Sequence, residues 1–552
     1  MRRKKKNIVE IRLHKLAFLL LSMLVLLIFR LYWIQIANHN TLKSQALKQR
    51  ANAINLYPNR GIIYDMNLIP LTNSNRINTI FIPKDSLEKQ EELKDLILKY
   101  TDISREELED YEKKAGRVLE LPLKKYIDQD LIPENAIVAE KTIRYSKNNI
   151  LSHVIGYVNR SDNKGAYGIE KVYDDILSNN KRRNTLYMEF NDSKDFLIGG
   201  EFEVTGSNES IEPAGVKLTI DYHIQDIVEK ILDKNKVNGA VIVADIKAGE
   251  IRALASRPNF DQNNIEEYLD REDMALFNKA IQVGYPPGSL FKIIVLITAL
   301  EENKDFVDRT FYCKGYEEVG NTTIGCNKTE GHGYLSLKEG FSKSCNSVFI
   351  QLGKELGSEK IMNMAKRLGF GQIINIGLSD EVEGNLPSGN EIRGPIIGNI
   401  SIGQGSIEVT PLQMTNLLMI IANDGIQKGL TIVDGITSEN GQMVKKYNRK
   451  EDKRVINEEY CQIVKDYLID VVRSGTARSL DLDEVGGAAG KTGSAQGVLN
   501  GEETIHGWFI GYYPERNPKY VITVFVEDAK DGSQSAIPIF EQIVKEIYKL
   551  NR

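Results

Sequence analysis

Tyr285-Pro286-Pro287-Gly288-Ser289-Leu290-Phe291-Lys292 runs straight into Ile293-Ile294-Val295-Leu296-Ile297-Thr298-Ala299-Leu300, and the join between the two stretches decides how the chain is read. Two prolines and a glycine cannot continue a helix, whereas Ser289 is a good N-cap or first-turn residue. The apolar run behind it therefore predicts a buried helix that starts at the serine. A spacing of three puts Ser289 and Lys292 on one face, a single turn apart. The positive end of the helix dipole and the apolar packing both disfavour an ammonium there, so Lys292 is expected below its ordinary value of about 10.4. A neutral amine at that position takes a serine proton near neutral pH.

The four-residue spacing alone is common, and Ser86/Lys89 and Ser178/Lys181 share it. What singles out Ser289 is its company further along the chain. Ser344-Cys345-Asn346 follows about fifty-five residues on, and Lys491-Thr492-Gly493-Ser494 stands near the end. Around the last, Lys491–Ala495, Gly507–Tyr512 and Tyr520–Val526 read as strands, with Pro514 and Asn517-Pro518 punctuating the last two as an antiparallel hairpin. A glycine in a strand bordering a cleft lets a substrate backbone pair with the strand edge. Taken in that order, the three patterns describe a serine acyl-transferase whose base is a lysine.

On these residues the chain resembles the class B penicillin-binding proteins, monofunctional transpeptidases that cross-link peptidoglycan. The resemblance extends to Val216–Asp221 with His223-Ile224-Gln225, Gly239–Val243, Gly249–Pro258, Ser401-Ile402-Gly403-Gln404-Gly405 and Thr410-Pro411-Leu412-Gln413. Upstream, Arg60–Asp65, His153–Tyr157 and Gly168-Ile169-Glu170 look like the pedestal of that class. Met66 and Leu68 depart from the arginine and glycine usual there, and Leu177–Asn180 lacks the family's glycines.

The resemblance implies an α/β (α+β) fold of the penicillin-binding and serine β-lactamase type: an antiparallel sheet flanked by helices, plus a helical subdomain. It also implies roles. Ser289 would attack the penultimate D-alanyl carbonyl of a stem peptide with Lys292 as base. Ser344 would relay a proton to the leaving amine, and Asn346 would bond Lys292 and the substrate amide. Lys491 would hold positive potential over the cleft, Thr492 and Ser494 would grip the terminal carboxylate, and Gly493 would admit the substrate backbone. Backbone amides of Ser289 and Ser494 would form the oxyanion hole. No cofactor is required, β-lactams should acylate Ser289, and a SEDS-type lipid II polymerase is the implied membrane partner. The alternative is a catalytically weak scaffold that binds such a polymerase. A β-lactamase would need a Glu-x-x-Leu-Asn pattern between Asn346 and Lys491, which is absent, and a glycosyltransferase motif is missing ahead of the transpeptidase part.

Met1–Lys6 with Arg12 and Lys15 precedes an apolar run over 16–36, broken only late by Arg30 and Gln35. Twenty-one helical residues span about 31 Å, enough for one bilayer crossing. The basic flank before the run and Tyr32-Trp33 at its end place residues 1–15 in the cytoplasm and everything after about Asn38 outside. The expected organisation is a basic tail over 1–15, a membrane helix over 16–36, a pedestal over 37–210 with an amphipathic helical insertion from Lys84 to Lys114, and a catalytic domain over 211–552. A final helix from Pro538 carries an apolar stripe at Ile539, Phe540, Ile543, Ile547 and Leu550. A net charge of −5 argues against nucleic acid as a partner.

Of the four cysteines, Cys461 reads as core and Cys345 as a small apolar filler beside the pocket. Cys313 and Cys326 differ, because His332 follows closely. A disulfide between the pair, a zinc site with His332 and a carboxylate such as Asp308, and free thiols all remain open.

Overall fold

The computed structural model describes residues 2–38, 42, 51–58, 60–87, 91–113, 118–133, 136–159, 161–179, 183–189, 202–205, 212–499, 501–529 and 532–552. Helix α1 (Arg2–Tyr32) continues through a π-turn at Trp33–Ala37. Its side chains from Ile8 to Ala37 are unburied and apolar enough to cross a membrane. The expected span of 16–36 lies inside it.

The chain divides into two compact units, one of 1–59, 75–143 and 181–208, the other of 60–74, 144–180 and 209–552. In the first, Asn75–Pro83 pairs antiparallel with both Val118–Pro122 and Ile137–Ile143. Helices Glu91–Tyr100 and Arg105–Lys113 lay Leu93, Ile97 and Leu108 against Ile80 and Ile82, so the expected insertion is helical and amphipathic; Lys114 lies outside the described residues. A second sheet joins Ala51–Asn55, Arg183–Glu189 and Phe202–Thr205.

A single cut at 210 follows chain order, whereas the contacts assign 60–74 and 144–180 to the second unit. A buried charge cluster holds those two segments to each other. The Glu170 carboxylate, fully buried, accepts from Arg60 Nε at 2.9 Å, Arg144 Nε at 2.6 Å and the Tyr145 hydroxyl at 3.0 Å. Buried guanidinium groups persist only where paired, so these segments stay together. Ile63–Tyr64 also adds a parallel strand beside Gly215–Leu218.

In the second unit, Asp221 caps helix α2 (Tyr222–Lys234), its carboxylate accepting from the His223 and Ile224 amides. Strands β1 (Gly239–Asp245) and β2 (Glu250–Arg257) follow. Helices α3 (Lys292–Glu302), α4 (Asn346–Leu356), α5 (Pro411–Ala422) and α6 (Glu458–Arg473) come next. The chain ends with β3 (Ala489–Leu499), β4 (Glu502–Tyr513), β5 (Tyr520–Val526) and α7 (Ile537–Leu550). The five strands form one antiparallel sheet in the order β2-β1-β5-β4-β3, which leaves β3 at an edge.

Both faces of the sheet are covered, as its almost unbroken burial requires. Thr523 bonds Thr415 of α5, whereas Phe509, of opposite parity in the β4–β5 register, meets Phe540 of α7 edge to face. Helix α5 therefore lies on one face and α7 on the other. All twelve residues of α5 are buried, behind a capping box formed by Thr410 and Gln413. The stripe on α7 is buried as expected at Ile539, Phe540, Ile543 and Ile547, but Leu550 is 43% exposed, because the last turn runs past the sheet.

Candidate active site

Ser289 does not open the α-helix itself. It sits in a 3₁₀ turn, Gly288–Phe291, and α3 begins at Lys292, since the two prolines ahead tighten the entry. The i, i+3 relation survives in that tighter turn, and Lys292 Nζ lies 3.1 Å from Ser289 Oγ. The same amine donates to Ser344 O at 2.7 Å and Asn346 Oδ1 at 2.8 Å, and contacts Ser344 Oγ at 3.2 Å. It is fully buried beneath the apolar helix, 5.7 Å from the centre of the Phe349 ring. Burial pulls its pKa down to about 8.

The Ser-x-Asn pattern is folded to fit that amine. Ser344 adopts φ 54°, left-handed for a residue with a Cβ, which turns both its carbonyl and its hydroxyl toward Lys292. Asn346 starts α4, and its Nδ2 donates to Gly325 O at 3.0 Å, which leaves Oδ1 facing the lysine.

Gly288 brings the serine against the edge strand. Its φ is +53°, and a Cβ there would lie 2.4 Å from Ser494 O, so only glycine permits the approach. Ser289, Ser344, Asn346, Thr492 and Ser494 then line one cleft of about 370 Å³. Asn327, Ile402, Gln404 and Thr476 complete its walls. Gly493 lies flat on β3 between Leu290 and Trp508.

Lys491, expected to hold positive potential over the cleft, lies beneath the surface of the site. It is fully buried, stands 5.6 Å from the centre of the Phe341 ring, and donates to Thr492 O at 3.2 Å. Burial first, and the neighbouring Lys292 second, push its pKa well below the lysine range.

None of the four cysteines is joined in a disulfide. Strand Thr310–Cys313 pairs with Gly333–Ser336, placing Cys313 beside the segment that carries His332. Cys345 caps α4 and points back to the same place, so Cys313, Cys326, His332 and Cys345 hold their donor atoms within 4.8 Å of one another. Cys345 is thus the fourth member of a cluster able to offer ligand atoms to an ion, and Asp308 is not in the group. Cys313–His332, Cys326–His332 and Cys326–Cys345 are each separated by 3.6 Å. A tetrahedral zinc with bonds of about 2.3 Å to sulfur spaces its ligands by roughly 3.7 Å, so the donor set fits that ion. The hydrogen bond between Cys326 and Cys345 favours the Cys326 thiolate and raises the Cys345 thiol.

Residues 239–545 match the penicillin binding protein transpeptidase domain, over half of the chain. The chain belongs to that family. It is 31% identical to stage V sporulation protein D of Bacillus subtilis, over 98% of this chain and 86% of the relative. It is 25% identical to the peptidoglycan D,D-transpeptidase MrdA of Haemophilus influenzae, over 97% and 91%. Among solved structures, one titled "Structural coordination of polymerization and crosslinking by a peptidoglycan synthase complex" shares the fold with a TM-score of 0.66 at 23% identity, covering 98% of each chain. The protein is a class B penicillin-binding protein and a peptidoglycan D,D-transpeptidase, with one N-terminal apolar helix suited to a single membrane span.

All three signatures of this penicillin-binding protein meet at one place. The residues missed in the sequence are those outside them. Gln404 stood in a quoted stretch without a role, while Asn327 and Thr476 carried no local signal. Cys345 was hidden by its position inside a catalytic pattern.

Proposed function

We propose that this penicillin-binding protein forms its cross-links through an ester on Ser289. The Ser289 hydroxyl gives its proton to neutral Lys292 as Oγ attacks the penultimate D-alanyl carbonyl. The carbon–nitrogen bond breaks, and terminal D-alanine leaves with a proton relayed through Ser344. The amine of a second stem peptide then attacks the ester, loses its proton to the same base, and restores the serine. Backbone amides of Ser289 and Ser494 face the developing oxyanion, each such donor commonly giving 10² to 10³ in rate. Thr492 and Ser494 hydroxyls bind the carboxylate of the donor peptide. The observation that carries this reading is the 3.1 Å contact between Ser289 Oγ and an amine buried and brought to about 8.

The test is labelling of the full chain by a fluorescent penicillin, followed by D-alanine release from a stem-peptide substrate. Labelling and release are expected, both lost in Ser289→Ala. Labelling without release would favour the scaffold reading, and absence of labelling would overturn the site.

Cys313, Cys326, His332 and Cys345 hold a structural zinc, supported by the donor set and its spacing. The ion would tie the segment around Cys326 to the loop that presents Ser344 and Asn346. Purified full chain should contain about one zinc per molecule and Cys326→Ser far less; a metal-free parent protein would refute the site.

The amino terminus lies in the cytoplasm and the catalytic unit outside, as the basic flank before α1 and Tyr32-Trp33 at its end support. The partner is a SEDS-type polymerase in the same membrane. The support is the likeness, along the whole chain, to a component of a solved peptidoglycan synthase complex.

A further inference from the structure

The turn after α6 carries a residue that belongs to none of the three signatures. Thr476 lines the cleft beside Thr492, and its Oγ1 stands 2.6 Å from Thr492 Oγ1, a short hydroxyl–hydroxyl hydrogen bond. The turn is pinned from behind. Thr476 N–H donates to Ser342 O at 3.1 Å, and a Cβ on the preceding Gly475 would lie 2.4 Å from that same oxygen. Only glycine lets the turn come so close, and the approach delivers the Thr476 hydroxyl to β3. One residue thus joins the segment leading to Ser344, through its backbone N–H, with the strand that carries Thr492, through its hydroxyl.

Two hydroxyls in contact own two hydrogens, and one is used between them. A carboxylate accepts and never donates. When Thr476 donates to Thr492, the Thr492 hydrogen is left to point into the cleft, and the chain of two bonds polarises it for an anion. Without Thr476 the Thr492 hydroxyl rotates and loses that direction.

The geometry points to Thr476 as a positioning residue for the substrate's terminal carboxylate, acting through Thr492. This rests on the reading of Thr492 as a carboxylate donor. It concerns a side chain that the three signatures leave out.

The experiment compares two thioester substrates of acyl-D-alanine that differ only in whether the leaving group ends in a carboxylate or a carboxamide. Full chain in detergent is used for the parent, Thr476→Val, Thr476→Ser and Thr492→Val, and kcat and KM are read separately. Because hydrogen bonds to charged groups are strong, Thr476→Val should slow the carboxylate substrate about tenfold, through KM, and the carboxamide by less than about twofold. Thr476→Ser, which keeps the hydroxyl, should stay within about twofold of the parent. Equal slowing of both substrates, no slowing, or failure of serine to rescue would overturn the proposal. If Thr492→Val also fails to distinguish the substrates, the carboxylate clamp itself falls. If Thr492→Val distinguishes them and Thr476→Val does not, only the positioning role falls.

Discussion

Lys292 is the residue on which the chemistry turns, and its titration sets a measurable pH dependence. Burial lowers the folded pKa to about 8, so the neutral amine grows with rising pH. The rate of penicillin acylation should therefore climb about tenfold per pH unit below 8 and level off above it. A profile flat from pH 6 to 9 would refute Lys292 as the base. The Ser289–Lys292 relation was legible because i, i+3 geometry is local and survives even the change from α to 3₁₀. The burial of Lys491 was not legible, since whether a strand lysine points into solvent or under its sheet depends on Phe341, 150 residues upstream. The role of Cys345 was hidden for the same reason: its partners come from segments 13 to 32 residues earlier, brought in by strand pairing and by the start of α4.

At the scale of elements, periodicity and end signals predicted α3, α7 and the three C-terminal strands. Apolar runs of the right length bounded by proline, glycine and capping residues leave few alternatives. Helix α5 shows what a cap is worth where the helix has no solvent face. Thr410→Ala removes one half of a buried capping box and should cost about 1–2 kcal/mol in urea unfolding, without changing the penicillin labelling of the folded fraction. A loss below about 0.3 kcal/mol would show that packing alone fixes the start of α5. The end of α7 was over-read, because a helical stripe in sequence does not reveal where the sheet beneath it stops.

Across the whole molecule, long-range charge pairs hold what sequence keeps apart. Lys279 and Glu527 are 248 residues apart and wholly buried against each other, and the other Glu527 oxygen accepts from the Tyr285 hydroxyl at 3.0 Å. The pair ties the segment leading into Ser289 to the end of β5. Glu527→Ala should cost about 3–5 kcal/mol, because it leaves a buried ammonium without its anion; unchanged thermal and urea midpoints would contradict this. The Arg60–Glu170–Arg144 cluster does the same for 60–74 and 144–180, two segments that the contact grouping places together with 209–552. The sequence by itself determined the family, the apolar anchor helix, the serine with its lysine one turn away and the identity of the other two signatures, since each is written in neighbouring residues. Only the tertiary structure decided that Cys345 joins Cys313, Cys326 and His332 in one cluster, that Lys491 is sealed from solvent and that Thr476 reaches Thr492. These are meetings of side chains from separate elements, set by how helices and strands pack rather than by anything adjacent in the chain.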